Sequence, residues 1–163
     1  MQMTNKLKPT KAVFFDFGGV ITQSPFDAFN SFEETEGIRK NFIREVNSVN
    51  PDTNAWARFE RNDITLDQFD ELFAKESKQL GHQISGYHII KLIHGKIRPE
   101  MISLVKKCRR KYKTACLTNN IAFKPNECDL DYNENWRLAR AEFDYVIESS
   151  KISCRKPGIK FYE

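Results

Sequence analysis

An aspartate, a threonine and a lysine stand where apolar runs of the chain stop. Asp16 follows Ala12-Val13-Phe14-Phe15, Thr118 follows Thr114 to Leu117, and Lys156 comes a short loop after Tyr145-Val146-Ile147. Short runs rich in β-branched and aromatic residues, bounded by turn residues, read as buried strands. Ligands of an open parallel sheet gather beyond the carboxyl ends of its strands, so the three side chains are expected to meet at one edge. Together they suit attack on phosphorus. The carboxylate is the nucleophile, and the hydroxyl, backbone N–H groups and ammonium hold the oxyanions; the attack leaves an aspartyl-phosphate. Gly18-Gly19, just beyond Asp16, supply a backbone that turns tightly.

Taken singly, each residue has an ordinary alternative. Asp16 reads as a turn residue, Thr118 as a hydroxyl satisfying backbone, and Lys156 before Pro157 as a solvated lysine at the start of a final helix. A cation at a helix start opposes the helix dipole, which favours a functional reason for it.

The intervening sequence must position these residues. After Pro25 the apolar period changes from two to 3.6 and stays helical for about seventy residues. Phe26, Phe29 and Phe32 form one stripe, ended at Gly37. Ile38, Phe42, Val46 and Val49 form a second, stopped at Pro51. Thr65 and Gln68 have the spacing of a capping box and open a helix with Leu66, Phe69, Leu72, Phe73 and Leu80 inward. A shorter helix runs from about Tyr87 to Ile93 and ends at Gly95. Pro99 opens an amphipathic helix with Met101, Leu104, Val105, Cys108 and Tyr112 on one face. Residues 123 to 131 read as an irregular loop, and Asn133 as the cap of a helix carrying Trp136, Ala139 and Phe143. Strands separated by helices imply a parallel sheet with crossovers. The expected fold is α/β, a Rossmann-like core of residues 1–24 and 98–163 interrupted by an all-helical cap of residues 25–97.

Composition narrows the function classes. The chain has 163 residues, is 40% hydrophobic with 13 Phe, and carries 26 basic against 22 acidic residues for a net charge of +4. This suits one ordinary globular unit and does not mark a nucleic-acid binder. No apolar run reaches the roughly 18 residues of a membrane span, and no secretory or transit segment is recognisable, so the expected location is cytoplasmic. Four cysteines without a Cys-x-x-Cys pair are expected to be thiols. The basic run Lys106 to Lys113 falls in the last turns of an amphipathic helix, where cations are favourable, rather than forming a nucleic-acid patch. His82, His88 and His94 recur every six residues, which rotates them about 240° apart on a helix, so they do not share a zinc site.

Phe14-Phe15-Asp16-Phe17-Gly18-Gly19-Val20-Ile21, Leu117-Thr118-Asn119-Asn120 and Arg155-Lys156-Pro157 resemble the first three motifs of the haloacid dehalogenase-like hydrolase superfamily, and the helical insertion resembles its cap. The Gly-Gly form of the first motif is similar to the branch containing the N-terminal domains of soluble epoxide hydrolase and of acyl-CoA dehydrogenase family member 10. The resemblance implies that Asp16 is the nucleophile, that Thr118 binds the transferring phosphoryl group, and that Lys156 offsets the charge of both. It further implies that Asn119 positions substrate and that magnesium binds at Asp16 and the Gly18 carbonyl.

Two departures from the family pattern shape the expectation. Most phosphatases of the superfamily carry a second aspartate two residues after the nucleophile as general acid, and here that position is Gly18. Leaving groups stable as anions, such as acyl or glycosyl phosphates, then fit best, and carbon–halogen hydrolysis stays open. The family's fourth motif, which completes the magnesium site, has no counterpart in Pro157 to Glu163. The chain is thus expected to be C-terminally truncated, as a fragment or a truncated gene product, or else a variant relying on a partner; magnesium-dependent turnover is expected to be weak or absent, and the open edge at the first strand is a candidate surface for self-association. The leading reading is a phosphatase of a small phosphorylated metabolite. The alternative is an inactive remnant that binds a phosphorylated ligand or a partner protein. A phospho-accepting receiver module shares the Asp, Thr and Lys, but it has its acceptor on a middle strand and no helical insertion after the first.

Overall fold

A computed structural model describes residues 9–122 and 130–163. The expected loop at 123–131 and the Cys128 thiol fall largely or wholly outside them. Three strands, β1 (Ala12–Phe15), β2 (Lys113–Thr118) and β3 (Tyr145–Glu148), form a parallel sheet in that order. The register aligns Phe15 with Cys116 and Thr118 with Glu148, so β2 and β3 end level and β1 ends two residues short of them, at the same edge of the sheet.

Between β1 and β2 lie α1 (Pro25–Thr35), α2 (Phe42–Ser48), α3 (Ala55–Glu60), α4 (Leu66–Gln79), α5 (Gly86–Leu92) and α6 (Pro99–Arg109); α7 (Leu130–Arg140) joins β2 to β3. The helices α6 and α7 pack on one sheet face. Met101, Ile102 and Val105 from α6 and Trp136 and Ala139 from α7 meet Val13, Phe15, Cys116 and Val146. Two right-handed crossovers in the same direction require that placement. On the opposite face Phe14 is 66% and Tyr145 57% exposed, so that face is open among the described residues. After β3 come α8 (Ser149–Ile152) and a 3₁₀ turn, Ile159–Phe161.

Helices α1 to α5 build a separate core from Phe29, Phe42, Ile43, Val46, Phe59, Phe69, Phe73 and Ile89, with Ile121 from the loop after β2 seated in it. Local chemistry sets the helix ends. Ser24 and Pro25 open α1, and Thr65 and Gln68 exchange both bonds of a capping box at α4. The two chain segments joining this helical body to the sheet pair with each other. Gln23 N–H donates to Lys96 at 2.8 Å and Arg98 N–H to Ile21 at 2.8 Å. A Cβ at Gly95 would lie 2.5 Å from the Gln23 carbonyl, so the crossing is close enough to demand glycine.

Several details differ from the periodicity. The second stripe is helical only from Phe42, because Asn41 takes a left-handed conformation that halts the turn before it. Short α3 escapes notice because six residues are too few to show a period. Ile102, not Leu104, packs against the sheet from α6, and Leu104 stays 42% exposed. The helix α7 begins at Leu130, so Asn133 lies inside it and does not cap it. No α-helix starts at Lys156, which sits in a turn with only the 3₁₀ turn beyond. The dipole argument for that lysine therefore lapses.

Only Lys106 to Arg109 of the basic run lie in the last turn of α6, where Lys106 pairs with Glu142 at 3.1 Å and Arg109 with Asp144 at 3.1 Å; Arg110 to Tyr112 form the turn after it, and Lys113 begins β2. No group of His, Cys, Asp or Glu among the described residues forms a metal cluster, the three histidines included. None of the described helices is long and apolar enough to cross a membrane.

The start of α2 depends on a neighbour. Glu33 of α1 is fully buried and accepts from Asn41 N–H at 2.7 Å and Ile43 N–H at 2.9 Å, serving the helix end that Asn41 itself does not cap. Replacing Glu33 by Ala strands both donors and is expected to cost about 2–4 kcal/mol in urea unfolding. Glu33→Gln, which keeps one acceptor oxygen, is expected to cost less.

Candidate functional site at the carboxyl ends of the strands

Asp16 is the first residue beyond β1. Its Oδ1 accepts from the next residue's N–H, Phe17, at 2.7 Å, and its Oδ2 meets Lys156 Nζ at 2.7 Å. The same ammonium donates to the Leu117 carbonyl at 2.7 Å. Lys156 is thus tied to the ends of β1 and β2 at once. The Asp16 side chain remains 49% exposed, open to a ligand.

The loop after Asp16 is wound about one carbonyl. Phe17 C=O accepts from Val20, Ile21 and Thr22 N–H groups, which turns the chain sharply toward the helical body. Nothing lies within 4 Å of where a Gly18 side chain would begin, and its backbone is not left-handed. The site thus lacks a second carboxyl through residue type alone, since the space for one is present.

Thr118 is buried at the end of β2, and its hydroxyl donates to the Asn119 carbonyl at 3.3 Å. Asn119 has both amide atoms engaged by the lysine loop. Its Oδ1 accepts from Lys156 N–H at 2.8 Å, and its Nδ2 donates to the Lys156 carbonyl at 3.1 Å. Asn119, expected to position substrate, here holds the backbone of the residue that partners Asp16.

Asp16, Gly18, Asn119, Lys156 and Pro157 enclose a shallow space. A deeper cavity of about 490 Å³ adjoins it, with Gly18 and Asn119 lining both and Thr118 lining the deeper one. Its walls come from the sheet edge, α7 and the helical body.

A second set of contacts closes the helical body over this edge, and little along the chain hints at it. Glu60 at the end of α3 is buried and accepts from Arg155 Nε and Nη2, both at 2.7 Å, and from Trp56 Nε1 at 2.9 Å. Arg155 also donates to the Pro51 carbonyl at 2.7 Å, and the Ser149 hydroxyl to the Glu60 carbonyl at 2.7 Å. The Trp56–Glu60 spacing of four was the only local signal. Asn120 bonds to Glu148 and Ser150, and Glu148 pairs with Arg140 and Lys151.

Burial drives the electrostatics here. It pushes the Glu60 carboxyl above the usual range, against the opposing pull of Arg155 and Trp56. The Cys116 thiol, on β2 beneath the site, is pushed up to about 12, first by burial and then by the Asp16 charge.

Magnesium does not fit the described residues on their own. Asp16 supplies the one carboxylate of the shallow space, its two oxygens already engaged by Phe17 and Lys156. One such carboxylate and a carbonyl are a poor set for a hard divalent ion, which takes several oxygens.

Comparison with solved structures gives the fold its class. A HAD family enzyme from Bacteroides thetaiotaomicron, solved with magnesium and inorganic phosphate, aligns over 94% of this chain and 76% of its own with a TM-score of 0.57 at 17% identity. L-2-haloacid dehalogenase from Xanthobacter autotrophicus, solved with chloropropionic acid covalently bound, aligns over 94% of this chain and 62% of its own with a TM-score of 0.56 at 18% identity. The chain has the α/β fold of the haloacid dehalogenase-like hydrolases, with the expected helical insertion after the first strand. Among curated proteins it is similar to acyl-CoA dehydrogenase family member 10 of Mus musculus, 27% identical over 159 residues. The match spans 94% of this chain and 14% of that protein. No protein-family model matches the chain.

Two measurements check this geometry. Gly18→Asp is expected to unfold thermally within about 0.5 kcal/mol of the parent, because a side chain there enters open space. With iodoacetamide near pH 8, Cys108 and Cys154 are expected to react well before Cys116, as followed by peptide mass mapping.

Proposed function

We propose that the chain is a haloacid dehalogenase-type hydrolase in which Asp16 attacks phosphorus and forms an aspartyl-phosphate. The Asp16–Lys156 ion pair at the mouth of the sheet carries this reading, since it couples an accessible carboxylate to a cation that faces the incoming anion. An Asp16 oxygen forms the new bond to phosphorus as the bond from phosphorus to the leaving oxygen breaks. Water then cleaves the acyl phosphate, releasing inorganic phosphate and restoring Asp16. Lys156 offsets charge throughout, and Thr118 at the neighbouring strand end offers a hydroxyl to the phosphoryl oxygens.

Gly18 determines which substrates suit. With no carboxyl at that position, the leaving group departs without a proton from it, so acyl and glycosyl phosphates fit better than alkyl esters, for which a general acid is typically worth about 10²–10⁴-fold. The same feature favours a second reading, attack of Asp16 on carbon with departure of halide, the geometry for which the Xanthobacter enzyme is a structural neighbour.

Incubation with acetyl phosphate, acid quenching and peptide mass spectrometry test the proposal. A phosphoryl adduct is expected on Asp16 in the parent chain and is expected to vanish in Asp16→Asn. Labelling that persists in Asp16→Asn overturns the nucleophile. An adduct formed from 2-chloropropionate but not from acetyl phosphate shifts the assignment to the carbon–halogen reading. Inorganic phosphate binding without any adduct supports a binding remnant instead.

A further inference from the structure

Charge gathers at two places along the edge of the sheet. The strands β1 and β3 flank β2, so the end of β3 lies two strand spacings, about 10 Å, from the end of β1 where Asp16 pairs with Lys156. Thr118 stands between them, in register with Glu148, the last residue of β3. Glu148 is buried. Its Oε2 accepts from Asn120 Nδ2 at 2.9 Å, and its Oε1 faces two cations, Lys151 Nζ and, at 3.4 Å, Arg140 Nη1. All three charged residues line the cavity that adjoins the Asp16 space.

The charge at this end does not cancel. Asp16 is matched by Lys156 and Glu60 by Arg155, one cation to each carboxylate. Glu148 meets two, and among the described residues neither Arg140 nor Lys151 has a second acidic partner. Compensating a buried carboxylate accounts for one cation and leaves the other in excess. Both also keep surface toward water, with Arg140 46% and Lys151 56% exposed. A guanidinium carries five N–H donors and an ammonium three, so Glu148 leaves most of them available to a ligand.

We infer that Arg140 and Lys151 form a second anion site, which takes a carboxylate of the same molecule whose phosphate lies at Asp16 and Lys156. The substrate class is then a phosphorylated carboxylic acid with its two charges about 10 Å apart. A carboxylate suits the site better than a second phosphate, because one negative charge cancels the one cation in excess, whereas a dianion overshoots it beside Glu148. The inference rests on the reading of Asp16 and Lys156 as the phosphate site, and it adds what the far end of the ligand carries.

Calorimetric titration with 6-phosphogluconate and sorbitol 6-phosphate tests it. Both are open six-carbon chains with a phosphate at one end, and they differ only in carrying a carboxylate or a hydroxymethyl group at the other. At low salt 6-phosphogluconate is expected to bind about fivefold or more tightly, an advantage that shrinks as salt is added. Lys151→Gln is expected to remove the advantage while leaving sorbitol 6-phosphate and inorganic phosphate within about twofold, since Arg140 still compensates Glu148 and the fold is kept. Glu148→Gln, which releases both cations, is expected to enlarge it. Arg137→Gln, which removes an equal charge from the outer surface of α7, is expected to leave it unchanged. Equal binding of the two probes, no binding of either where inorganic phosphate binds, or an advantage that survives Lys151→Gln or is lost as fully in Arg137→Gln overturns the inference. If neither inorganic phosphate nor sorbitol 6-phosphate binds, the phosphate reading of Asp16 and Lys156 fails by itself. Gluconate then decides: binding that Lys151→Gln removes upholds the second anion site, and no binding overturns it.

Discussion

The ammonium of Lys156 is the group on which the site depends. It lies 2.7 Å from both the Asp16 carboxylate and the Leu117 carbonyl, so a single charge joins the end of β1, the end of β2 and the loop beyond β3. The lysine is only 18% exposed, and a cation so far removed from water needs those partners to offset its lost hydration. Asn119 fixes the backbone of the same residue from both sides. The parallel register matters because it brings the strand ends to one edge, within reach of one side chain.

Closure over the site uses a second ion pair next in the chain to the first. Arg155 binds Glu60 and Pro51 of the helical body while Lys156 binds Asp16, so seating of that body and placement of the lysine share one stretch of backbone. Breaking a buried pair by removing one partner leaves a charge without compensation, which is why the two bodies hold together there. The crossing of residues 21–23 with 95–98 supplies the other attachment.

Among the described residues the sheet is covered on one face and open on the other. Parallel sheets are ordinarily buried on both sides, and Phe14 and Tyr145 show the apolar character such burial selects. Its chemistry is equally uneven. An accessible carboxylate, Asp16, is present with its cationic partner Lys156, while residue 18 is a glycine with free space around it.

Much of this was legible along the chain. Periodicity gives the order of strands and helices, the capping box at Thr65 and Gln68, and the placement of Asp16 and Thr118 at strand ends, because these depend on residues within a few positions of one another. Boundaries failed where local signals were weak, as at six-residue α3, or where the start of a helix is served by a residue from elsewhere, as Glu33 serves α2. Only the tertiary structure could decide that Asn119 holds Lys156, that Arg155 reaches Glu60 across 95 positions, and that aromatic residues from both bodies enclose one cavity. The physical reason is that the type of a residue determines what it can bond to, whereas which partner comes within 3 Å is determined by how whole elements pack.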